Sequence, residues 1–375
     1  MSTPAPRAAS ARRAFASPEA LVAAAVEDRA PRAVARLISL VEDGSPWLRE
    51  ISRLLAPRAG RAEVIGITGA PGVGKSTSTS ALVAAFRAAG RRVGVLAVDP
   101  SSPFTGGALL GDRVRMTAHT TDPGVYIRSL ASRGHLGGLS WATPQALRVL
   151  DAAGYDVVIV ETVGVGQAEV DIASLADTTL VLLAPGMGDG IQAAKAGILE
   201  IADVLVVNKA DRPGADDTYR DLTAMIRLSD ATGFHRDAGR AAAVGAAATG
   251  GAATGGAATG GDAKGREAAA AAGGRWVPKV VRTVAAEGTG VGEVVDAVAA
   301  HRAWLMASGE LARRRAGRVA DEIEQIALAG LRARFGDARA HVGGLAEQVV
   351  AGRLDPWTAA DDLIAALTGR SEATE

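Results

Sequence analysis

The chain has 375 residues, which is enough for one large α/β domain with helical additions. Its 41 basic and 41 acidic residues give a formal net charge of zero, so the sequence has no electrostatic signature of binding to nucleic acid or to an anionic membrane. The chain contains no cysteine, which excludes disulfides, Cys-ligated zinc and thiolate nucleophiles. Its apolar runs are too short for a transmembrane helix.

Residues 1–61 are interpreted as an N-terminal tail followed by helices. The first 18 residues contain three arginines and no acid, but they lack the apolar stretch of a secretory signal. A disordered tail explains them better than a mitochondrial transit peptide. The Arg-, Ala- and Gly-rich composition is typical of a GC-rich bacterial genome, so we expect a cytoplasmic bacterial protein. Apolar residues recur at helical spacing between Leu37 and Leu55, with a break at Gly44, and predict a helical preface.

Residues 62–305 alternate between strand-like and helix-like segments. Short apolar runs rich in Val and Ile occupy residues 64–68, 93–98, 157–160, 179–183, 204–207 and 280–284. Helical stretches at 77–89, 143–153 and 191–201 separate several of these runs. Continuous apolar strands that alternate with helices form parallel sheets covered on both faces. We therefore predict an α/β domain with a doubly wound, mostly parallel sheet, whose strand order this pattern leaves open.

Two features of the C-terminal half lie outside this alternation. Residues 239–274 contain Ala-Thr-Gly-Gly three times, and their small side chains predict a disordered insertion. Residues 306–375 predict a C-terminal helical arm, in which Val319, Ile323 and Ile326 lie at helical spacing. Such an amphipathic helix suits a dimerisation arm, although the same periodicity equally allows a helix packed back on its own domain.

Residues 69–76 read GAPGVGKS and match the phosphate-binding pattern G-x-x-x-x-G-K-[ST]. A predicted strand precedes the match and a predicted helix follows it, which is the context that this loop requires. The glycines let backbone N–H groups converge on phosphates, and the helix N-terminus adds a favourable dipole. Lys75 should reach the β- and γ-phosphates, and Ser76 should offer its hydroxyl to Mg²⁺. The sequence thus predicts a P-loop NTPase with nucleotide contacts at Gly69, Gly72, Val73, Gly74, Lys75, Ser76 and Thr77.

Carboxylates near the predicted strand ends are candidate magnesium ligands alongside Ser76. Asp99 ends the second predicted strand and Glu161 the third, where side chains point into the crevice that binds nucleotides in such sheets. Asp112, in the Gly-rich loop between them, is a further candidate that would equally suit a turn. Mg²⁺ prefers such hard oxygen donors. Lys75, Asp99 and Glu161 are therefore the expected catalytic residues.

A guanine-specific motif, N-K-A-D, follows the fifth predicted strand at residues 208–211. Asp211 can accept hydrogen bonds from N1–H and the exocyclic amine of guanine, a donor pair that adenine lacks. Since an unpaired buried carboxylate is costly, ATP should be rejected by several orders of magnitude. Asn208 should tie loops together, and the Lys209 stem should cover the base. Further base contacts are expected at Val284, Ala285 and Ala286.

Two segments give the chain a close resemblance to the MeaB/ArgK family of GTPases. Residues 98–112 read VDPSSPFTGGALLGD and residues 161–167 read ETVGVGQ. The resemblance covers residues 30–235 and 275–335. It departs at the 239–274 insertion and in the tail after residue 340, and both departures affect the expected geometry of partners rather than the nucleotide site.

The resemblance implies a function that the residues alone do not show. Family members are GTPase chaperones of adenosylcobalamin-dependent acyl-CoA mutases such as methylmalonyl-CoA mutase, and GTP hydrolysis to GDP gates cofactor loading and removal of damaged cofactor. Asp99, Asp112 and Glu161 would be the magnesium-associated switch carboxylates. Asp189, Gln192 and Lys195 would relay the nucleotide state to the mutase, although these residues also suit an ordinary helix N-terminus. The C-terminal helices would form a homodimer.

Other functions are less well supported. A nickel-inserting GTPase usually presents Cys or His ligands, and this chain has neither a cysteine nor a His pair at helical spacing. A transport-associated NTPase lacks support because the base motif favours GTP and no transmembrane signal is present. A nucleotide-dependent scaffold with slow turnover stays possible, since partners often complete such sites. Arg115, Arg128 and Arg133 are candidate arginine fingers that also suit structural roles.

Overall fold

The structure, a computed structural model, describes residues 15–99, 119, 121–131, 142–162, 168–186, 200–231, 274–337 and 339–368. The expected N-terminal tail, the insertion up to residue 273 and nearly all of the helix expected at 191–201 lie outside the described residues.

Seven described strands form one parallel sheet in the order β3-β2-β4-β1-β5-β6-β7. They are β1 (Glu63–Thr68), β2 (Val93–Asp99), β3 (Val125–Ala131), β4 (Val157–Thr162), β5 (Thr178–Leu183), β6 (Val204–Asn208) and β7 (Lys279–Thr283). The doubly wound α/β fold predicted from the alternating pattern is confirmed. Every strand therefore ends at the same edge of the sheet, and nucleotides bind at this edge in such folds.

Strand β3 was missing from the sequence-based expectations. Polar Arg128 and Ser129 interrupt its apolar run, as suits the edge of the sheet, where β3 pairs only with β2. The Arg128 guanidinium lies against the N-terminal helices, where it donates to Ser39 Oγ at 3.1 Å and pairs with Glu42. These contacts give Arg128 a structural role rather than that of an arginine finger.

Helices flank the sheet in chain order. In the described residues they are α1 (Pro18–Val26), α2 (Pro31–Glu42), α3 (Leu48–Leu55), α4 (Lys75–Ala88), α5 (Ala142–Ala152), α6 (Ala168–Leu175), α7 (Ala215–Ala231) and α8 (Val291–Ala307). Prolines occupy the first position of α1 and α2, where a missing N–H costs nothing, and Ser17 caps α1 by accepting a hydrogen bond from Ala20 N. Gly44, at φ 63°, separates α2 from α3 as expected from the sequence.

Alternate side chains of the strands build two cores. In β1, Val64 faces a cluster formed with α2, α5 and α6, whereas Ile65 and Ile67 face a second cluster formed with α4 and α8. Helix α7 covers the β5–β6 end through Leu222 and Ile226. Because both faces are buried, the strands read as continuous apolar runs, which made six of them recognisable in the sequence.

An ion pair joins the end of α4 to the turn before β3. The Arg87 guanidinium donates to both carboxylate oxygens of Asp122, at 2.8 Å and 2.9 Å. The side-chain hydrogen bonds from Arg87 and the backbone N–H of Gly124 lower the pKa of the Asp122 carboxyl below its ordinary value. The pair therefore favours the ionised carboxylate in the folded state.

The described residues fall into two compact units, one ending at Arg314 and the other beginning at Arg315. The second unit holds most of α9 (Glu310–Asp337) together with α10 (Arg339–Val350) and α11 (Pro356–Thr368). On α9, Val319, Ile323 and Ile326 are 43%, 63% and 53% exposed. The expected division at residues 305 and 306 stays a prediction. Among the described helices, none combines the length and apolarity needed to cross a bilayer.

Candidate nucleotide-binding site

The loop between β1 and α4 has a backbone that requires glycine. Gly69, Gly72 and Gly74 have φ values of 141°, 82° and 97°, in the region that residues with a side chain rarely adopt. A Cβ at Gly69 would lie 2.3 Å from Leu182 O, and one at Gly74 would lie 2.4 Å from Asn208 Nδ2. A Cβ at Gly69 would collide with the backbone of β5, whereas one at Gly74 would displace the end of the Asn208 side chain, which donates a hydrogen bond to Val73 O.

Lys75 begins α4 and turns its side chain back over the loop. Nζ donates to Gly69 O at 2.7 Å and to Ala70 O at 3.2 Å. The residue is only 8% exposed, so its ammonium group lies within the loop rather than in bulk solvent. A buried cation beside convergent backbone N–H groups and a helix N-terminus favours an anion such as a phosphate.

A buried carboxylate lies beside the start of α4. β4 pairs with β1 so that Glu161 is opposite Ile67, one residue before the end of β1. Glu161 is 4% exposed. Its Oε1 accepts a hydrogen bond from Ser76 Oγ at 2.7 Å, and its Oε2 accepts one from Thr79 Oγ1 at 2.8 Å. The Glu161 carboxylate and the Ser76 hydroxyl supply hard oxygen donors, which are the ligands that Mg²⁺ prefers.

The other candidate metal carboxylates are less fully placed. Asp99 ends β2, the neighbour of β4, so its backbone lies at the same edge of the sheet as Glu161. Its side chain is outside the described part of the structure, as is all of Asp112. Ser76 and Glu161 are the two candidate metal ligands whose side chains the structure places together.

Asn208, at the end of β6, joins three loops at the carboxyl edge. The residue is 2% exposed, and its Nδ2 donates to Val73 O at 2.8 Å. Its Oδ1 accepts hydrogen bonds from Thr283 Oγ1 and from Ala285 N, both at 3.1 Å. One amide side chain thus ties the phosphate loop to the loop after β7.

Lys209 reinforces this connection. Its backbone is left-handed, with φ 57°, and its Nζ donates to Gly72 O at 2.6 Å. The next residue, Ala210, donates its N–H to Thr283 O at 3.0 Å. Asp211 follows as an exposed side chain, accessible to a ligand at this edge.

The loop after β7 closes the site. Val284 N donates to Thr289 O at 3.0 Å, and Glu287 N donates to Val284 O at 2.9 Å. Ala285 is 7% exposed while Ala286 is exposed. The structure thus brings together the phosphate loop, the N-K-A-D loop and residues 284–286, although they are distant in sequence. The expected partner-switch residues Asp189, Gln192 and Lys195 lie outside the described residues.

Two site residues, Thr79 and Thr283, were missing from the sequence-based expectations. Thr79 follows Ser76 by three positions on α4, so helical periodicity alone places both on one face. Thr283 ends β7 as a polar residue at the carboxyl edge, the same signal that singled out Asp99 and Glu161. Neither the helical spacing of Thr79 nor the strand-end position of Thr283 is enough to place the residue in the site without knowing which strands are neighbours.

Comparison with known proteins identifies relatives over almost the whole chain. The family described as "Methylmalonyl Co-A mutase-associated GTPase MeaB" matches residues 34–340. A Pyrococcus horikoshii protein with a GTPase designation is 44% identical over 340 residues, which cover 90% of this chain and 95% of that protein. The mitochondrial methylmalonic aciduria type A homolog of Mus musculus is 31% identical over 355 residues, covering 90% of this chain and 76% of that protein.

The fold is also found among solved structures. A crystal structure described as a LAO/AO transport system kinase superposes with a TM-score of 0.57 at 24% identity, covering 94% of this chain and 97% of that one. At this identity the likeness shows the fold alone. The family match and the relatives confirm the GTPase activity expected from the P-loop and the base motif. The chain is a GTPase that belongs to the MeaB family, the methylmalonyl-CoA mutase-associated GTPases.

Proposed function

We propose that this GTPase is a chaperone of an adenosylcobalamin-dependent acyl-CoA mutase, with methylmalonyl-CoA mutase as the default client. GTP binding and hydrolysis would be coupled to loading and protection of the mutase cofactor. The observation that carries the proposal is the family match over residues 34–340, since the family description names the mutase. The name of the mouse relative, methylmalonic aciduria type A homolog, likewise refers to a methylmalonyl compound.

In this proposal GTP lies along the carboxyl edge of the sheet. The backbone of residues 69–77 and the Lys75 ammonium bind its phosphates, a role supported by the Lys75 ammonium lying over the loop, 2.7 Å from Gly69 O, and by the helix N-terminus that follows the loop. Asp211 accepts the two guanine donors, while the Lys209 stem and residues 284–286 flank the base. The hydrogen bonds of Asn208 with Val73, Thr283 and Ala285 hold the phosphate loop and the base-binding loops at a fixed distance from each other.

Hydrolysis is proposed to follow the usual course for P-loop GTPases. A water molecule attacks the γ-phosphorus in line with the departing β–γ bridging oxygen, and Lys75 offsets the negative charge on the phosphoryl oxygens. Ser76 and Glu161, together with Asp99 and Asp112, would hold Mg²⁺. The ion would supply further charge neutralisation at the β- and γ-phosphates.

The test of the client is steady-state phosphate release from GTP, measured alone and with each adenosylcobalamin-dependent mutase of the host. ATP serves as the control nucleotide, and Lys75→Ala serves as the control protein for mutase-independent phosphate. We expect stimulation by one mutase with GTP and none with ATP. GTP turnover that responds to no such mutase would refute the chaperone role while leaving the GTPase activity intact.

The C-terminal arm is proposed to mediate a homodimer. Val319, Ile323 and Ile326 lie on one side of α9 and are each more than two-fifths exposed, a pattern that suits helix pairing. Ile323→Asp should therefore shift the protein from dimer to monomer in analytical ultracentrifugation. Gln325→Asp places the same charge on the other side of α9 and should leave the dimer intact. A monomeric parent protein, or equal effects of both variants, would contradict this interface.

The switch to the mutase is proposed to involve Asp189, Gln192 and Lys195. They follow β5, whose carboxyl end lies beside that of β1 and thus beside the phosphate loop. Alanine at Lys195 should reduce stimulation by the mutase while preserving GTP turnover by the free protein. A parallel loss of both activities would instead place Lys195 in the hydrolytic site.

A further inference from the structure

The hydroxyl of Thr79 has an unusual partner for a helical threonine. In a helix this group commonly donates to the carbonyl four residues earlier. Helix α7 follows that pattern, since Thr218 Oγ1 donates to Gly214 O at 3.0 Å and Thr223 Oγ1 donates to Tyr219 O at 2.8 Å. Thr79 Oγ1 instead donates across to the sheet, to Glu161 Oε2 at 2.8 Å.

Burial makes this hydrogen bond consequential. Thr79 is 0% exposed and Glu161 is 4% exposed, so water cannot readily replace either partner. Removing a buried donor from a carboxylate oxygen costs free energy, because the lost hydrogen bond is not replaced by one to bulk water. The Thr79 hydroxyl therefore stabilises one orientation of the Glu161 carboxylate.

We propose that Thr79 is a positioning residue for the magnesium site, acting through Glu161. The terminal torsion of a Glu side chain has a broad minimum, so each hydrogen bond to the carboxylate narrows the range of its orientations. With Oε2 bound by Thr79, Oε1 stays directed at Ser76, the candidate metal ligand 2.7 Å away. The inference rests on the proposed Mg²⁺–GTP site and assigns to it a residue outside the phosphate-binding motif.

The experiment measures how Mg²⁺ slows dissociation of a fluorescent GDP analogue. Partners that orient metal ligands typically change metal affinity by about 10- to 100-fold. For Thr79→Val, which keeps the shape and removes the hydroxyl, we expect the Mg²⁺ concentration for half-maximal slowing to rise about tenfold. Dissociation in EDTA should stay as in the parent protein, because Thr79 acts through the metal site.

Two variants control for structural damage. Thr79→Ser retains the hydroxyl and should restore the parent Mg²⁺ response. Ser78→Ala removes a neighbouring buried hydroxyl of α4 and should leave the response unchanged. If Thr79→Val does not fold, as judged by thermal melting, Thr79→Ala provides the same test with a smaller side chain.

The outcomes separate this inference from the proposed function. A parent-like Mg²⁺ midpoint in folded Thr79→Val would overturn the role of Thr79 and leave the magnesium site standing. Equal acceleration of GDP-analogue dissociation with Mg²⁺ and in EDTA would also overturn it, because Thr79 would then stabilise nucleotide binding independently of the metal. If the parent protein retains GDP but shows no Mg²⁺ response, the magnesium site itself fails and this inference fails with it.

Discussion

Replacing Asn208 with alanine tests whether one side chain holds the nucleotide site together. The amide makes three hydrogen bonds, to Val73 O, Thr283 Oγ1 and Ala285 N. All three link segments that are distant in the chain, so removal should loosen the phosphate loop from the loop after β7. The variant should both lower stability and weaken binding of GDP.

The expected loss of stability follows from those three hydrogen bonds. Each contributes about 1 kcal/mol net to folding, and a buried partner left unpaired costs about 1–3 kcal/mol. Val73 is 1% exposed and Thr283 is 3% exposed, so water restores few of the lost bonds. We expect a destabilisation of about 3–5 kcal/mol, a large part of the roughly 5–15 kcal/mol that stabilises a typical domain.

Asp151→Ala is a matched control at the opposite edge of the sheet. The Asp151 carboxylate is 7% exposed and accepts hydrogen bonds from the N–H groups of Gly60, Arg61 and Ala62, just before β1 begins. Its loss should destabilise the fold to a similar extent without loosening the phosphate loop. Both variants would be compared by urea denaturation and by GDP affinity under conditions where each is folded.

The two variants should separate in the binding assay. Asn208→Ala should weaken GDP binding by at least tenfold, which corresponds to about 1.4 kcal/mol, because the phosphate loop is no longer tied to the loop after β7. Asp151→Ala should leave the GDP affinity within about twofold of that of the parent protein. Equal GDP affinity in both variants would show that Asn208 contributes only to general stability. An unchanged urea midpoint for Asn208→Ala would show that these three hydrogen bonds do not stabilise the fold.

Three further changes test other parts of the molecule. Lys75→Ala should abolish tight GTP binding and turnover, and normal phosphate release would exclude the phosphate-loop assignment. Asp211→Asn should relax the preference for GTP over ATP in kcat/KM by removing the guanine-specific acceptor, and unchanged selectivity would exclude this base contact. Arg87→Met should lower the free energy of unfolding by up to about 1 kcal/mol near neutral pH. The lowered pKa of Asp122 contributes its full stabilisation above the ordinary value of 3.8. The difference in stability between Arg87→Met and the parent protein should therefore shrink as pH falls below 3.8 and through the folded pKa, and a constant difference would contradict the pairing.

The parallel α/β fold was predictable because its signals are local. Apolar runs buried on both faces stand out in the sequence, and six of the seven described strands were expected within a few residues of their observed bounds. β3 was missed because Arg128 and Ser129, at the edge of the sheet, interrupt its apolar pattern. The order of the strands was beyond the sequence, since periodicity within a strand says nothing about its neighbour.

The candidate site shows the same division. Residues 69–76 and 208–211 are contiguous motifs whose chemistry can be read without coordinates. Glu161 was expected near the metal because it ends a strand, but its hydrogen bond to Thr79 joins residues 82 positions apart. The bond between Asn208 and Val73 spans 135 positions.

The sequence by itself predicted a glycine-rich phosphate-binding loop and a guanine-specific motif, because each pattern depends on neighbouring residues. The tertiary structure decided which side chains support those motifs. Strand order places β4 and β5 on either side of β1, which brings Glu161 beside α4, and it is the packing of β6 near the loop that brings Asn208 to Val73. Such contacts depend on the whole sheet, so no local pattern encodes them.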